Sequence, residues 1–377
     1  MKFRTLLFAF LSVMVMACSS DEPEKPDVNP DPDPTPTPTP DPDPDPDLEE
    51  IVIILSETDL EMPIGATQTI SYTVTPENTP VEWMSSNERV ATVDENGCVT
   101  AIARGSASIT VSAGDASASC TVKVIRAAQV GDFYFSDGTY SPSLIAGKTV
   151  IGVIFWLGDP TADDAALRRD HPECTHGLVV AAYPDVNPCP WQANFMAYGK
   201  TTGVWVEQYA KEYVSPVSVW EQDTRRNVIA GYNNTKALEA FNAAAENKSW
   251  PVNVIEEVAK FRSSVPAPES SSDWFLPAVK ELSLLINDVY DGDVLDFNDV
   301  AGSLCNSNRK IINETLAQIE AYGAELIGAN PNWAYDYWSS TDWVYSQTYH
   351  ISAQSGSIMC GSKDGKVNQL VRCVLAF

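Results

Sequence analysis

The chain has 377 residues, of which 44% are hydrophobic, and its 51 acidic and 24 basic side chains give a formal net charge of −27. This balance excludes nucleic acid as a partner, because phosphate binding depends on clusters of Lys and Arg, and the sequence contains none. The length allows more than one folded unit.

The first residues have the pattern of a secretory signal peptide. Lys2 and Arg4 form a basic start, and an apolar run follows over residues 6–17. That run is too short to cross a bilayer as a permanent helix. We therefore expect residues 1–17 to be removed during export.

The end of this signal carries a second pattern. Val15-Met16-Ala17-Cys18 resembles the lipobox of bacterial lipoproteins, in which the cysteine becomes the lipidated first residue. Asp21 and Glu22 resemble the surface-export signal of lipoproteins from gut-dwelling Gram-negative anaerobes. The resemblance implies lipidation at Cys18 and a lipid-anchored, surface-exposed protein of the outer membrane. An ordinary cleaved signal with an incidental cysteine is the alternative.

Residues 18–48 are predicted to form an acidic stalk. From residue 21 to residue 47 nearly every position is Pro, Asp or Thr. Proline at alternate positions excludes helices and sheet ladders, and like charges repel, so the segment should be extended. A solvated spacer is the favoured interpretation, and calcium buffering by its carboxylates is the alternative.

Residues 49–126 are predicted to form a small all-β sandwich, because short β-rich runs alternate there with Gly, Pro, Asn and Asp. The runs cover residues 51–55, 67–74, 107–111 and 120–124. The unit also contains Val81-Glu82-Trp83, Val90-Ala91-Thr92-Val93 and Asn96-Gly97-Cys98. These segments resemble the group 2 bacterial immunoglobulin-like domain. The resemblance implies a surface spacer, sometimes weakly adhesive, with Trp83 in its core and no catalytic residues.

Residues 128–377 are predicted to form one α+β domain, with helices in the middle and strands from both ends. Apolar runs over residues 150–156 and 177–182 predict buried strands. Apolar spacing near 3.6 predicts helices over residues 234–247, 252–262, 278–290 and 308–323. Short antiparallel strands are predicted near the C-terminus, around a turn at Ser355-Gly356.

This domain contains Asp273-Trp274-Phe275-Leu276-Pro277, Tyr337-Trp338-Ser339-Ser340-Thr341 and Val371-Arg372. The segments resemble bacterial C-type-lectin-like domains of the formylglycine-generating-enzyme type, especially retroelement-diversified surface proteins. The resemblance implies a rigid scaffold that binds a protein or glycan without a cofactor. It places Trp274, Leu276 and Trp338 in the core, and Glu281 and Arg372 as buried polar anchors.

On the same pattern, a set of C-terminal side chains would be displayed to a ligand. The predicted ligand-binding residues are Asp342, Trp343, Tyr345, Gln347, His350, Ser352, Gln354, Ser355, Ser357, Met359, Asn368 and Gln369. Aromatic rings offer a large contact area at low entropic cost, and Ser, Asn and Gln offer adaptable hydrogen bonds. The alternative is that the aromatic residues of these short strands are packed.

The cysteines allow several interpretations. Four residues could offer zinc two imidazoles and two thiolates: His171, Cys174, His176 and Cys189. Their spacing fits no standard zinc signature, and an exported protein lies in an oxidising compartment. A Cys174–Cys189 disulfide is therefore favoured over zinc, and a Cys360–Cys373 disulfide is open as well. Three further cysteines stay unassigned: Cys98, Cys120 and Cys305.

An acidic cluster over residues 288–299 is the other candidate cation site. Its spacing differs from the EF-hand loop, whose ligands alternate before a bidentate Glu at the twelfth position. We predict a solvated loop there and no metal.

No enzyme is predicted. With three histidines in the chain, no Ser/His/Asp or Cys/His set can be assembled, and nothing matches the copper-binding cysteine pair of formylglycine-generating oxidases. The prediction is a cell-surface adhesin or receptor for a host or bacterial surface protein or glycan. The alternative is a structural or tip component of a surface fibre, which an unpaired hydrophobic edge strand would favour.

Overall fold

The structure is a computed structural model that describes residues 50–183, 188–218, 224–287, 293–295, 307–328, 336–352, 355–363 and 369–377. The predicted signal peptide, the predicted lipidation site Cys18 and the predicted acidic stalk lie outside these residues. Within the described part of the chain, no helix has the length and apolar character needed to cross a membrane.

The N-terminal unit contains nine strands. They are β1 (Val52–Leu55), β2 (Asp59–Pro63), β3 (Thr67–Thr69), β4 (Tyr72–Thr75), β5 (Glu82–Ser85), β6 (Ala91–Val93), β7 (Cys98–Ala101), β8 (Gly105–Ala113) and β9 (Ala116–Ile125). They form a four-stranded sheet in the order β2-β9-β8-β5, a three-stranded sheet β3-β7-β6 and the pair β1-β4. Strand β8 shows the reason for the sandwich, because Ala107, Ile109 and Val111 point into the core and alternate with half-buried residues.

Two details of this unit differ from expectation. The predicted run 67–74 is two strands, because the N–H of Ile70 leaves the ladder to donate to the carbonyl of Gly97 at 3.0 Å. Trp83 is half-buried rather than fully inside, and its ring meets Tyr72 edge to face at 5.6 Å. Gly97 has φ +78, and a Cβ there would lie 2.8 Å from the Trp83 ring, so the turn requires glycine.

The chain enters and leaves the N-terminal unit at opposite ends. Ile51 lies against Gly114, in the turn between β8 and β9. Strand β9 then runs away from that turn and ends at Ile125. Its ten residues span about 30 Å at roughly 3.3 Å per residue. The points where the chain enters and leaves this unit are therefore far apart.

The C-terminal unit contains eight strands and seven α-helices among its described residues. The strands are β10 (Phe133–Phe135), β11 (Tyr140–Ser141), β12 (Val150–Leu157), β13 (Gly177–Ala181), β14 (Tyr337–Val344), β15 (Gln347–Ile351), β16 (Ile358–Ser362) and β17 (Val374–Ala376). The helices are α1 (Ala165–Asp170), α2 (Phe195–Tyr198), α3 (Thr202–Tyr209), α4 (Gly231–Ala243), α5 (Asn253–Ser264), α6 (Val279–Asn287) and α7 (Ser307–Leu316). Short 3-10 helices cover Pro160–Ala162, Thr224–Asn227, Ala245–Asn247 and Ala317–Tyr322.

Two antiparallel sheets organise this unit. One has five strands in the order β11-β10-β12-β13-β17, and the other is the meander β14-β15-β16. Strand β13 sends Leu178 and Val180 into a cluster with α6 and α7, and Val179 and Ala181 into a cluster with α4 and α5. We call these the α6–α7 core and the α4–α5 core. Because both faces are covered, β12 and β13 are continuous apolar runs.

The four predicted helices are present with small changes at their ends. A 3-10 helix follows α4, and another continues α7. The predicted helices included these 3-10 residues, so they end later in the chain than the α-helices do. Gly323 ends the last of these turns in the left-handed conformation, at φ +94. Residues 288–290 of the third predicted helix lie outside the described residues. Helices α1, α2 and α3 were not predicted.

The C-terminal strand β17 lies inside the fold rather than at an open edge. On one side it pairs with β13, and on the other Phe275 and Val374 exchange backbone hydrogen bonds of 2.8 and 3.0 Å. The N–H of Ser272 donates to the carbonyl of Ala376, and the N–H of Ala376 donates to Oγ of Ser272, both at 2.9 Å. This strand edge is therefore covered by residues 272–275.

Candidate recognition surface

The predicted ligand-binding residues fall into three groups by exposure, and two more lie outside the described residues. Tyr345, Ser355 and Met359 are exposed. Trp343, Gln347, Ser352 and Ser357 are half-buried. Asp342, His350 and Gln369 are buried. Gln354 and Asn368 lie outside the described residues. Fewer side chains are therefore open to a ligand than the sequence predicted, and three of the predicted contact residues are interior.

Asp342 is buried because it joins four segments. Its Oδ2 accepts hydrogen bonds from the N–H and Oγ1 of Thr202, at 3.2 and 2.9 Å, where α3 begins. Its Oδ1 accepts the N–H of Trp343 at 2.8 Å and lies 2.7 Å from Nζ of Lys363. Its backbone forms a parallel bridge with Val217. A carboxylate at a helix N-terminus is favourable, so Asp342 holds the frame together and does not face a ligand.

Lys363 is the buried partner of Asp342. The side chain has no exposed surface, and Nζ lies 4.6 Å from the centre of the Trp191 ring. Desolvation lowers the pKa of Lys363, although the charge of Asp342 opposes that shift. The ammonium group is thus held by one carboxylate and one aromatic face.

His350 and Gln369 are buried for similar reasons. Nδ1 of His350 lies 3.0 Å from Oδ2 of Asp336, and its ring meets Trp338 edge to face at 5.7 Å. Oε1 of Gln369 accepts the N–H of Asp336 at 2.8 Å. Both residues were predicted to be displayed, and both instead fix Asp336 against the β-meander.

The exposed and half-buried members lie mainly at the two ends of β15, with Met359 between them on β16. Trp343, Tyr345 and Gln347 lie at the turn between β14 and β15, whereas Ser355 and Ser357 lie at the turn between β15 and β16. The five residues of β15 separate these two ends by about 13 Å. The largest of the exposed side chains, Tyr345, has 44% of its surface accessible. The turn that carries Tyr345 is therefore the best candidate contact surface.

The residues predicted to support this surface are all interior: Trp274, Leu276, Glu281, Trp338 and Arg372. Nε1 of Trp338 donates to the carbonyl of Cys189 at 2.8 Å, and Nε1 of Trp274 donates to the carbonyl of Val265 at 2.8 Å. Arg372 donates through Nη2 to the carbonyl of Glu325 at 2.9 Å. These bonds satisfy the two indole N–H groups and one guanidinium nitrogen inside the fold.

Glu281 has a strongly raised pKa. Its Oε1 accepts the N–H of Gly231 at 2.7 Å and that of Ala230 at 3.2 Å, which links the start of α6 to the start of α4. Complete burial raises the pKa of Glu281 to about 8, although the hydrogen bond from Gly231 opposes the shift and nearby Asp164 adds to it. Glu281 thus holds its proton over much of the neutral range.

Two of the cysteines that were predicted to pair lie on opposite sides of the five-stranded sheet. Cys174 packs in the α6–α7 core and Cys189 in the α4–α5 core, so the sheet separates them and no disulfide forms. Cys360 and Cys373 are not joined by a disulfide either. Cys305 lies outside the described residues. The four-residue zinc set, which the sequence offered as the less favoured alternative, is not assembled, because the sheet separates Cys189 from Cys174 and His176 stacks on Phe377 at 6.2 Å.

A smaller group of potential metal ligands is assembled instead. The ligand atoms of His171, Glu173 and Cys174 all lie within 4.8 Å of one another. Burial, with a further contribution from the charge of Glu173, raises the pKa of the Cys174 thiol to about 12. The acidic cluster at residues 288–299 lies mostly outside the described residues. Its described member Asp293 accepts a 2.9 Å hydrogen bond from Nε of Arg226.

His350 and Asp336 form the one imidazole–carboxylate pair within 4.0 Å among the described residues. The other ring nitrogen, Nε2, lies so close to Gly361 that a Cβ there would be 2.9 Å away. That side of the imidazole therefore packs against strand β16. The absence of catalysis stays a prediction.

The N-terminal unit matches a known family. Residues 52–124 match the family model described as Bacterial Ig-like domain (group 2), which is the family that the sequence motifs resemble. An uncharacterized protein of Clostridium acetobutylicum is 38% identical over 82 residues, which cover 20% of this chain and 8% of that protein.

A longer similarity extends into the C-terminal unit. A Bacteroides ovatus protein named "Putative fimbrium tip subunit Fim1C" is 24% identical over 268 residues. The match covers 64% of this chain and 43% of the relative, so the chain spans less than half of that relative's length.

A solved structure has a similar fold. The crystal structure of a fimbrial protein from Bacteroides ovatus superposes with a TM-score of 0.52 at 18% identity, covering 87% of this chain and 70% of the other. The chain therefore contains a group 2 bacterial Ig-like domain, and most of it shares its fold with a bacterial fimbrial protein.

Proposed function

We propose that this protein is a tip subunit of a bacterial surface fibre. The observation that carries the proposal is the similarity to the named fimbrium tip subunit, supported by the fold shared with a fimbrial protein. The sequence offered this function as the alternative to a cell-surface lipoprotein that acts as a C-type-lectin-like adhesin or receptor.

The geometry of the N-terminal unit supports this role. Its chain enters beside Gly114 and leaves at Ile125, about 30 Å away along β9. A domain with its two ends at opposite poles lengthens an assembly, whereas a domain with adjacent ends does not. In a fibre tip, this unit would hold the C-terminal unit away from the shaft.

The joint between the two units is held by polar contacts. Arg126 forms an ion pair with Asp132, and the other oxygen of that carboxylate accepts the N–H of Gln129 at 2.8 Å. The hydroxyl of Tyr140 donates to the carbonyl of Arg126 at 3.1 Å. These bonds resist bending at the joint, so the C-terminal unit would be presented in a defined direction.

The proposal includes how the subunit reaches the surface. Residues 1–17 would act as the lipoprotein signal, Cys18 would carry the lipid, and residues 18–48 would form the acidic stalk. This route would deliver the protein to the outer face of the outer membrane before it joins the other fibre subunits that it would contact. No catalytic step and no cofactor are part of the proposal.

Co-fractionation tests this assignment. Fibres sheared from the producing bacterium are separated from outer-membrane vesicles on a density gradient and probed with an antibody to the whole chain. We expect the protein in the fibre fraction, at far lower abundance than the main shaft protein. Recovery of the protein only with vesicles would contradict the proposal.

Ligand recognition at the tip is the second candidate, and the exposed Tyr345 turn favours it. A large aromatic side chain on a tight turn above a rigid, hydrogen-bonded frame suits contact with a protein or glycan. The C-type-lectin-like assignment belongs to this candidate and stays a proposal.

A binding screen of the whole chain against glycans and host surface proteins tests the second candidate. Tyr345→Ala should abolish any signal, and Tyr209→Ala is the control because Tyr209 is an exposed tyrosine on α3. A signal that both variants retain would exclude the Tyr345 turn.

A further inference from the structure

A tight turn follows helix α1 and brings three different ligand types together. The N–H of Cys174 donates to the carbonyl of His171 at 3.1 Å, which closes a turn with Pro172 at its second position. A hydrogen-bonded turn of this kind places its first and fourth residues side by side, and proline favours the required φ. The proximity of His171 and Cys174 is therefore fixed by the backbone.

The ligand atoms of this turn are close enough to share one cation. The imidazole nitrogen of His171, a carboxylate oxygen of Glu173 and Sγ of Cys174 all lie within 4.8 Å of one another. In a tetrahedral zinc site, bonds of about 2.0–2.3 Å place ligand atoms about 3.5 Å apart. The exposed side chain of Glu173 can move to shorten its own two distances, and the His171–Cys174 pair has to close by no more than about 1.3 Å.

The three side chains of this turn differ in their exposure to solvent. Cys174 is fully buried, His171 is half-buried and Glu173 is exposed. The edge-to-face contact between His171 and Tyr232, with ring centres 5.4 Å apart, holds the imidazole in place. The carboxylate just before the turn, Asp170, is already bound to Nε of Arg169 at 2.7 Å. An ion would therefore enter from the side of Glu173 and meet three ligands.

We propose that His171, Glu173 and Cys174 form a zinc-binding site, with water as the fourth ligand. A thiolate, an imidazole and a carboxylate suit Zn²⁺, whereas Ca²⁺ and Mg²⁺ prefer oxygen ligands alone. The site differs from the four-residue set that the sequence offered, because the sheet separates Cys189 from Cys174 and His176 stacks on Phe377. Bound zinc fixes the loop between α1 and β13.

Cobalt(II) is the direct probe, because a Co²⁺–thiolate bond gives a charge-transfer absorption in the near ultraviolet that oxygen ligands do not give. Metal-free full-length protein is titrated with Co²⁺ and then with Zn²⁺. We expect one equivalent of Co²⁺ to produce the band and one equivalent of Zn²⁺ to remove it. Wild-type protein that gives no band under these conditions overturns the proposal.

Variants separate this site from other thiols. Cys174→Ser should abolish the band, and Glu173→Gln, at an exposed position that leaves the fold intact, should weaken Co²⁺ binding at least tenfold. His171→Ala should weaken it by a similar factor. Cys189→Ser and His176→Ala are matched controls and should keep the wild-type titration. Equal Co²⁺ affinity in wild type, Glu173→Gln and His171→Ala shows that the turn is not the site.

Discussion

Nζ of Lys363 lies 2.7 Å from Oδ1 of Asp342, and neither side chain has any exposed surface. This buried ion pair joins the residue after β16 to β14, and through Thr202 it reaches the start of α3. Desolvation of both charges costs free energy, and the pair offsets that cost only while both partners are present. The frame beneath the candidate surface therefore depends on it.

Lys363→Met should lower the free energy of unfolding by about 3–5 kcal/mol, because it leaves the Asp342 carboxylate buried without a cation. The measurement is equilibrium denaturation in urea.

The matched control is Lys260→Met. Nζ of Lys260 lies 2.6 Å from Oε1 of Glu257, a similar distance, but its side chain is 64% exposed. An exposed pair of this kind contributes at most about 1 kcal/mol. Equal losses in the two variants would contradict a dominant role for burial.

Part of this arrangement could be predicted from the sequence. The 3.6-residue spacing located α4 to α7, and the repeated turn residues located the Ig-like sandwich, because both signals arise within a few residues of chain. The burial of Asp342 could not be predicted, since its partners Thr202, Val217 and Lys363 come from separate segments. The resemblance placed Asp342 among the displayed residues, and tertiary contacts bury it.

The sequence around Lys363 does not indicate that this side chain is buried. It stands between Ser362 and Asp364 in a polar stretch that is typical of an exposed turn. Its burial depends on Trp191, more than 150 residues earlier in the chain, whose ring lies beneath the ammonium group. Local patterns carry no information about such a contact.

Glu281 should make stability depend on pH. Burial raises its pKa from 4.5 to about 8 in the folded protein, so between these values the folded state binds a proton that the unfolded state has lost. Stability contributed by this group therefore falls as pH rises through that window, by at most about 1.4 kcal/mol per pH unit. Glu281→Gln, which keeps an acceptor for the N–H of Gly231, should remove this slope.

Denaturation of both proteins at pH 5, 6.5 and 8 measures the effect. The stability of Glu281→Gln relative to wild type should increase as the pH rises. Burial also raises the pKa of Asp164, so a weaker slope of the same sign should persist in the variant. A difference between the two proteins that is constant from pH 5 to pH 8 would show that Glu281 is ionised throughout.

Truncation of His350 should reduce stability much more than truncation of Tyr345. His350→Ala removes a buried ring that packs on Trp338 and pairs with Asp336, and should cost about 2–4 kcal/mol of stability. Tyr345→Ala removes an exposed ring and should change stability by about 0.5 kcal/mol or less. Thermal unfolding of the two variants provides the comparison. A large loss in Tyr345→Ala would place that side chain in the core and remove it from any contact surface.

The position of the protein on intact fibres tests the central claim most directly. Immunogold electron microscopy of the producing bacterium, with an antibody raised against the whole chain, measures where the label lies along each fibre. A tip subunit predicts single gold particles at the free ends of fibres. Label spaced along the shafts, or spread over the outer membrane of cells whose fibre ends are bare, would contradict the proposed function.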